Sequence, residues 1–355
     1  MPITFSRRIA VAVAGIAIAA GTQALAWHAG AGADGRRGGD IVGQQATGSA
    51  AQAAAVRYWT RARMTGARPA GREPSGQARR LIRKAPPAPP TAQQPWLTGN
   101  TTGQGLGWTY GGAVAAAIGK VFFTLGGADY VCSGTLVRGK QVDVVLTAAH
   151  CVTDGSGQAG TGAAGTGSAG RPQWATNWIF VPGFRDGLMP YGEYTARRFF
   201  VTPDWTGPAG GDEQYDVAFV QVAAATLYGT SGVAKPPSGL RVKFAGSQDA
   251  DHQGSGPPSR TYVFGYPAEP PYGGLALSYC AGPATASGGS VRTPCEMTAG
   301  DSGGPWLAGF SPRAGSGLVF AVSTYKVSSD LRVLYGAVLG PQARALYQRA
   351  ISPVG

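Results

Sequence analysis

The chain has 355 residues, 43% of them hydrophobic, with 57 glycines and 26 prolines, so it holds enough apolar sequence for a large core but is built from turns rather than long helices. Its net charge of +12 is lopsided: residues 1–100 carry thirteen Lys/Arg against three Asp/Glu, net +10, and residues 101–355 carry seventeen against fifteen, net +2. The larger part therefore lacks the basic face of a nucleic-acid reader, and no nucleic-acid partner is expected.

Residues 1–26 read as an export signal. Arg7-Arg8 form a basic start, Ile9 to Ala20 an apolar run too short to span a bilayer comfortably, and Ala24-Leu25-Ala26 a cleavage site. Secretion is the expected localisation. Residues 27–105 mix Gly/Ala runs, scattered arginines and Ala85-Pro86-Pro87-Ala88-Pro89-Pro90. This composition predicts a basic, disordered pro-segment or linker, with one helix over Ala46–Arg63 and electrostatic contact with an anionic cell envelope. Ile41-Val42-Gly43 mimics the terminus released when some proteases are activated, but it lies far upstream of the expected fold.

From residue 106 to 355 the pattern is that of an all-β domain. Short β-branched and aromatic runs alternate with Gly and charged turns: Val121–Thr124, Tyr130–Val137, Val142–Thr147, Trp178–Val181, Tyr194–Val201 and Val217–Val222, then Leu240–Phe244, Tyr262–Gly265, Leu275–Cys280, Trp306–Ala308, Val319–Ser323 and Arg332–Val338. Gly155–Gly170, almost wholly Gly, Ala, Ser and Thr, reads as a surface insertion, and Pro341–Ile351 as a closing helix with proline in its first turn. The four cysteines, Cys132, Cys151, Cys280 and Cys295, lack Cys-x-x-Cys spacing, so neither a metal nor a redox site is expected. In an exported chain they favour two disulfides, and proximity favours 132–151 with 280–295 among the three connectivities.

Three residues carry the chemistry. Ser302 lies in Gly300-Asp301-Ser302-Gly303-Gly304-Pro305, where glycines permit a sharp turn with bare N–H groups. His150 ends the strand-like run Leu146-Thr147-Ala148-Ala149-His150-Cys151, and Asp216 opens Asp216-Val217-Ala218-Phe219-Val220. An aspartate at the mouth of an apolar strand fits a partner that holds an imidazole in one tautomer, and that imidazole takes the proton an unassisted serine keeps near neutral pH.

With these motifs in this order, residues 107–350 resemble the chymotrypsin/trypsin-like serine proteases. Gly119-Lys120-Val121-Phe122-Phe123, Gly265-Tyr266-Pro267 and Cys295-Glu296-Met297-Thr298 resemble its secreted, glutamyl-endopeptidase-like bacterial branch. The resemblance implies two six-stranded antiparallel Greek-key β-barrels and a C-terminal helix. It makes Ser302 the nucleophile, His150 the base and then the acid, Asp216 the orienting acid, and the N–H groups of Gly300 and Ser302 the oxyanion hole. Cys132–Cys151 would tie the histidine loop to its neighbouring strand, and Cys280–Cys295 would brace the wall of the specificity pocket. Glu296, Ser323, Thr324, Tyr325 and Lys326 would line that pocket. Asp301 would pair with an amine released by cutting between Ala92 and Gly112. The reading is thus a secreted, monomeric serine endopeptidase, made as a zymogen, needing no cofactor and acting on protein or peptide substrates, with an inhibitor or activating protease as further partners. The alternatives are a triad esterase and a catalytically weak or inactive binding protein on a protease scaffold at the cell envelope.

Overall fold

A computed structural model describes residues 41–44, 48–70, 102–139, 142–155, 172–208, 213–223, 237–246 and 257–352. The expected export signal, the proline run and nearly all of the Gly155–Gly170 stretch expected to be an insertion lie outside these residues. The chain begins with β1 (Ile41–Gln44), α1 (Ser49–Tyr58), α2 (Arg61–Gly66) and β2 (Arg68–Pro69), followed by β3 (Thr102–Gly107) and α3 (Gly112–Ala117).

A first barrel follows: β4 (Ile118–Leu125), β5 (Ala128–Val137), β6 (Asp143–Thr147), β7 (Thr176–Pro182), β8 (Tyr194–Val201) and β9 (Ala218–Val222). Its strands run in the order β8-β7-β4-β5-β6-β9, and β9 pairs back onto β8, so the ring closes and no edge strand remains within it. Phe122, Phe180, Phe199 and Phe219, one each from β4, β7, β8 and β9, are fully buried.

The second sheet contains β10 (Arg241–Val242), β11 (Thr261–Gly265), β12 (Ser278–Gly282), β13 (Thr285–Ser287), β14 (Ser290–Pro294), β15 (Pro305–Ser311), β16 (Ser316–Val327) and β17 (Asp330–Val338). Its order is β13-β14-β17-β16-β15-β11-β12-β3, with β10 parallel to β16. This sheet is a half-barrel: β12 and β14 are not hydrogen-bonded to each other, and β3 adds to the free side of β12. The Cys280–Cys295 disulfide joins β12 to the residue after β14 and so staples the two sides of the opening. Helix α4 (Pro341–Ala350) returns to the first barrel, burying Ala343, Leu346 and Ala350. Gln221 on β9 donates to the carbonyls of Ala350 and Ser352, which satisfies backbone groups that a helix end leaves open.

The expectation of disorder over 27–105 fails at Ile41–Gln44, which is not remote from the fold but pairs antiparallel with β8, and at residues 48–70, and the single helix over Ala46–Arg63 is two helices. Thr60 separates them: it is extended (φ −69°, ψ 160°) and its hydroxyl accepts the Arg63 N–H as an N-cap. The few apolar residues here are concentrated on one side. Trp59 is only 2% exposed, its ring lies 5.4 Å from Phe122, and its indole N–H donates to the Asn177 carbonyl. Ala55, Val56, Met64 and Ala70 are buried as well. Removing a tryptophan side chain from such a site costs about 3–5 kcal/mol. Low average hydrophobicity predicts disorder for a chain alone; here the barrel supplies the other half of the core. Likewise β3 begins at Thr102, ahead of the expected boundary at 106, because β12 offers it an unpaired edge.

Candidate active site

β6 ends at Thr147, and the chain turns through a single 3-10 turn, Ala149–Cys151, that carries His150. β9 begins at Ala218, two residues after Asp216, and pairs with β6 at Thr147↔Ala218. That register brings histidine and aspartate together at one end of the first barrel. Asp216 Oδ1 accepts the His150 backbone N–H at 2.9 Å, and Oδ2 lies 2.7 Å from Nδ1. Both residues are buried. A carboxylate so close makes Nδ1 the protonated nitrogen, leaving Nε2 with its lone pair. Nε2 is itself buried, with no hydrogen-bond partner among the described residues. Burial alone would lower the imidazole pKa; the charge and hydrogen bond of Asp216, with a further contribution from Asp301, outweigh it and hold His150 above the usual 6.5.

Ser302 is packed against this loop. The Ser133 N–H on β5 donates to the Ser302 carbonyl at 2.7 Å, and the Cys132–Cys151 disulfide ties the residue before Ser133 to the residue after His150. Gly303 has φ +81°, and a Cβ there would stand 2.2 Å from Thr147 Oγ1 and 2.4 Å from the Ser133 carbonyl, so only glycine lets the serine loop come this close.

The N–H groups of Gly300 and Ser302 are aimed by their neighbours. In a trans peptide the N–H points opposite the C=O. The Ala299 carbonyl accepts from Ala268 N–H and the Asp301 carbonyl from Gly304 N–H, each at 2.8 Å. The Gly300 and Ser302 N–H groups therefore face the other way, and neither is taken up by another group among the described residues. Ser133 adds a clamp: its hydroxyl donates to the Gly300 carbonyl and accepts from the Tyr266 N–H, both at 2.8 Å. Nothing in the sequence marks Ser133, because its partners lie 167 and 133 positions away.

The pocket candidates divide. Lys326 reaches across, its ammonium donating to the carbonyls of Cys295 and Leu331. Burial lowers its pKa against the opposing pull of Asp301, Glu296 and Asp330. Glu296 is half-buried, and its N–H donates to the Gly103 carbonyl of β3 at 2.7 Å. Ser323, by contrast, turns its hydroxyl to the indole N–H of Trp306, while Thr324 bonds the Tyr335 carbonyl and Tyr325 stacks on the Tyr335 ring at 4.7 Å. Asp301 is buried beneath the serine loop, one carboxylate oxygen lacks a partner among the described residues, and burial raises its pKa despite Lys326 and His150. Cys132, His150 and Cys151 cluster within 4.8 Å, but two sulfurs joined in a disulfide present no thiolate to a metal.

Known proteins share this architecture. The family model described as trypsin-like peptidase domain matches residues 132–309. Among solved structures, the protease Anisep from Arthrobacter nicotinovorans is 34% identical, with a TM-score of 0.53 over 67% of this chain and 96% of its own. The thermostable serine protease AL20 from an extremophilic microorganism is 28% identical, with a TM-score of 0.53 over 67% and 98%. A Glu endopeptidase is 16% identical, with a TM-score of 0.44 over 66% and 90%. No curated protein matches the chain. The matched residues run from the disulfide that anchors the histidine loop to beyond the serine turn, and on that span and the identity to Anisep the chain belongs to the trypsin-like peptidases and is a serine peptidase.

Proposed function

We propose that the protein is a secreted serine endopeptidase in which Ser302 attacks the scissile carbonyl, His150 takes its proton through Nε2, and Asp216 holds the imidazole. The observation that carries the reading is the buried Asp216–His150 pair, bonded at both Oδ1 and Oδ2 and set beside the serine loop. Attack breaks the O–H bond of Ser302 and forms the Oγ–C bond, and the proton goes to Nε2. The carbonyl oxygen, now negative, meets the Gly300 and Ser302 N–H groups, whose direction is fixed before substrate arrives; losing one such donor costs about 2.7–4 kcal/mol of barrier. As the tetrahedral species collapses, His150 returns the proton to the leaving amine, and water repeats the sequence to release the acid. The imidazolium formed in between is favoured by the same Asp216 charge that raises the His150 pKa.

Two disulfides, both within the protease fold, support an oxidising destination, in keeping with the export signal at residues 1–26. The partner carboxyl for an activating amine is Asp301. Pairing of β3 with β12 from Thr102 onward favours a cut ahead of that strand, between Ala92 and Thr102.

The test is covalent labelling of Ser302 in secreted protein by a phosphonofluoridate, alongside a His150→Ala variant and a diverse peptide library. Labelling that depends on His150, with peptide cleavage, is the expected result. Ester turnover without cleavage of any peptide would make the protein an esterase. No labelling of any processed form would leave a binding protein on a protease scaffold.

A further inference from the structure

One edge of β5 holds two guests in succession. β2 runs parallel to it with Arg68 opposite Tyr130 and Pro69 opposite Val131, and the Ala70 N–H donates to the Val131 carbonyl at 2.9 Å. Two residues on, the Ser133 N–H donates to the Ser302 carbonyl. Residues two apart in a strand present their backbone groups to the same edge. The segment ending at Ala70 and the loop carrying the nucleophile are therefore consecutive neighbours on one strand, and β2 itself runs in the direction of Ser302.

This edge belongs to a defined half of the cleft. Of the pocket candidates, Ser323 to Lys326 are on β16 of the second sheet, and Glu296 lies in the loop that follows β14. β5 is in the first barrel and is tied by Cys132–Cys151 to the neighbour of His150, the group that protonates the leaving amine. With the acyl half of a substrate over the second sheet, the residues C-terminal to the scissile bond lie over β5, whose edge at Tyr130–Val131, once β2 leaves it, suits an extended peptide.

The occupant is firmly held. Besides the burial of Trp59, Tyr58 Oη donates to Asp129 Oδ1 at 2.8 Å, and Arg63 pairs with Asp129 Oδ2 at 3.0 Å while bonding Tyr58 Oη at 2.7 Å. Asp129 lies on β5 itself, one residue before the stretch that β2 covers.

We propose that residues 48–70 are an intramolecular inhibitor, anchored through Trp59 and Asp129, whose Arg68–Ala70 end holds the leaving-group side of the cleft in the full-length chain. The inference rests on the serine endopeptidase reading. It makes the segment a barrier to polypeptides and not to small acylating reagents, and full activity then requires its displacement as well as a cut in the chain.

Two variants of the full-length chain test this. Trp59→Ala removes the anchor, and Ala70→Pro removes the N–H given to Val131 while leaving Trp59 in place. Each is compared with the unmodified chain on two substrates sharing one acyl sequence: a peptide extending three residues beyond the scissile bond, and an ester with a small leaving group. Both variants are expected to raise kcat/KM tenfold or more for the extended peptide and to change ester hydrolysis less than twofold. Equal effects on the two substrates, or none on either, would overturn the inference. Phosphonofluoridate titration of Ser302 counts intact sites. If Trp59→Ala loses sites by misfolding, Ala70→Pro decides the question by the same ratio. Failure of these full-length chains and of every processed form to be labelled would overturn the protease reading and this inference with it, whereas labelling with unchanged ratios overturns this inference alone.

Discussion

Glu193, just before β8, is fully buried, and neither carboxylate oxygen has a hydrogen-bond partner among the described residues. Burial raises its pKa from 4.5 to about 7. In the unfolded chain it ionises near 4.5; in the fold it holds its proton until about pH 7. Between these values Glu193 binds more protons in the native state than in the unfolded one, so its contribution to stability is greatest at low pH and falls as pH rises through the window. The difference corresponds to about 3 kcal/mol at most, at about 1.4 kcal/mol per pH unit. Solvent that reaches the carboxylate by local breathing would reduce this, so about 2 kcal/mol is the working figure. Glu193→Gln cannot ionise, and its gain over the parent should grow from near zero at pH 4.5 to about 2 kcal/mol at pH 8. Urea unfolding of both proteins at the two pH values measures it. Taking the difference between pH values cancels whatever the buried amide itself costs. A gain that is the same at pH 4.5 and pH 8 would refute the reasoning, because the carboxylate would then be solvated or paired in the native state.

Two further predictions concern the site. The acid limb of kcat/KM reports the free enzyme's base, so its midpoint should lie above 6.5, where Asp216 and Asp301 hold His150. In Asp216→Asn burial acts with less opposition, so the limb should move to lower pH while kcat falls by about 10⁴-fold; an unmoved limb would assign it to another group. Lys326→Met removes the ammonium that Asp301 and Glu296 both feel. Competition between peptides differing only in the residue before the scissile bond should then shift toward Lys and Arg by about tenfold; an unchanged ratio would place Lys326 outside the pocket's electrostatics.

The first barrel and the pairing of His150 with Asp216 were legible because their signals are local and strong. β4 to β9 are dense in buried aromatic and β-branched residues, and each catalytic candidate sits in a short motif at the end of a strand. What escaped is short, polar or non-local. β13 and β14 contain only one large aliphatic side chain, Val291, and owe their existence to the edge that β17 offers. α3 is six residues of Gly, Ala and Val, below the length at which periodicity is visible. Ser133 is an ordinary strand serine until Gly300 and Tyr266 are brought to it. The pocket was legible as a set of positions but not as a set of directions. Ser323 and Lys326 stand three apart on one strand, yet one hydroxyl faces Trp306 and the other side chain spans to Cys295.

The charges around the serine form one electrostatic unit, and this bears on how the proposed activation would reach His150. Asp301 adjoins Ser302, and its ionisation is opposed by burial and favoured by Lys326 and His150. In return, its charge helps raise His150. A cation settling against the unpartnered oxygen of Asp301 would stabilise the carboxylate and fix the peptides on either side of it, whose N–H and C=O groups aim the Gly300 and Ser302 donors. The same event would keep a second negative charge near the imidazole and so favour the imidazolium formed during attack. Lys326 meets this requirement only in part, because its ammonium is committed to two carbonyls on the pocket wall. An amine released ahead of β3 would complete the neutralisation, while the β5 edge would still have to be cleared of Arg68–Ala70. Charge at Asp301 and access along β5 are thus separable conditions: the first acts on every substrate, and the second only on those that extend past the scissile bond.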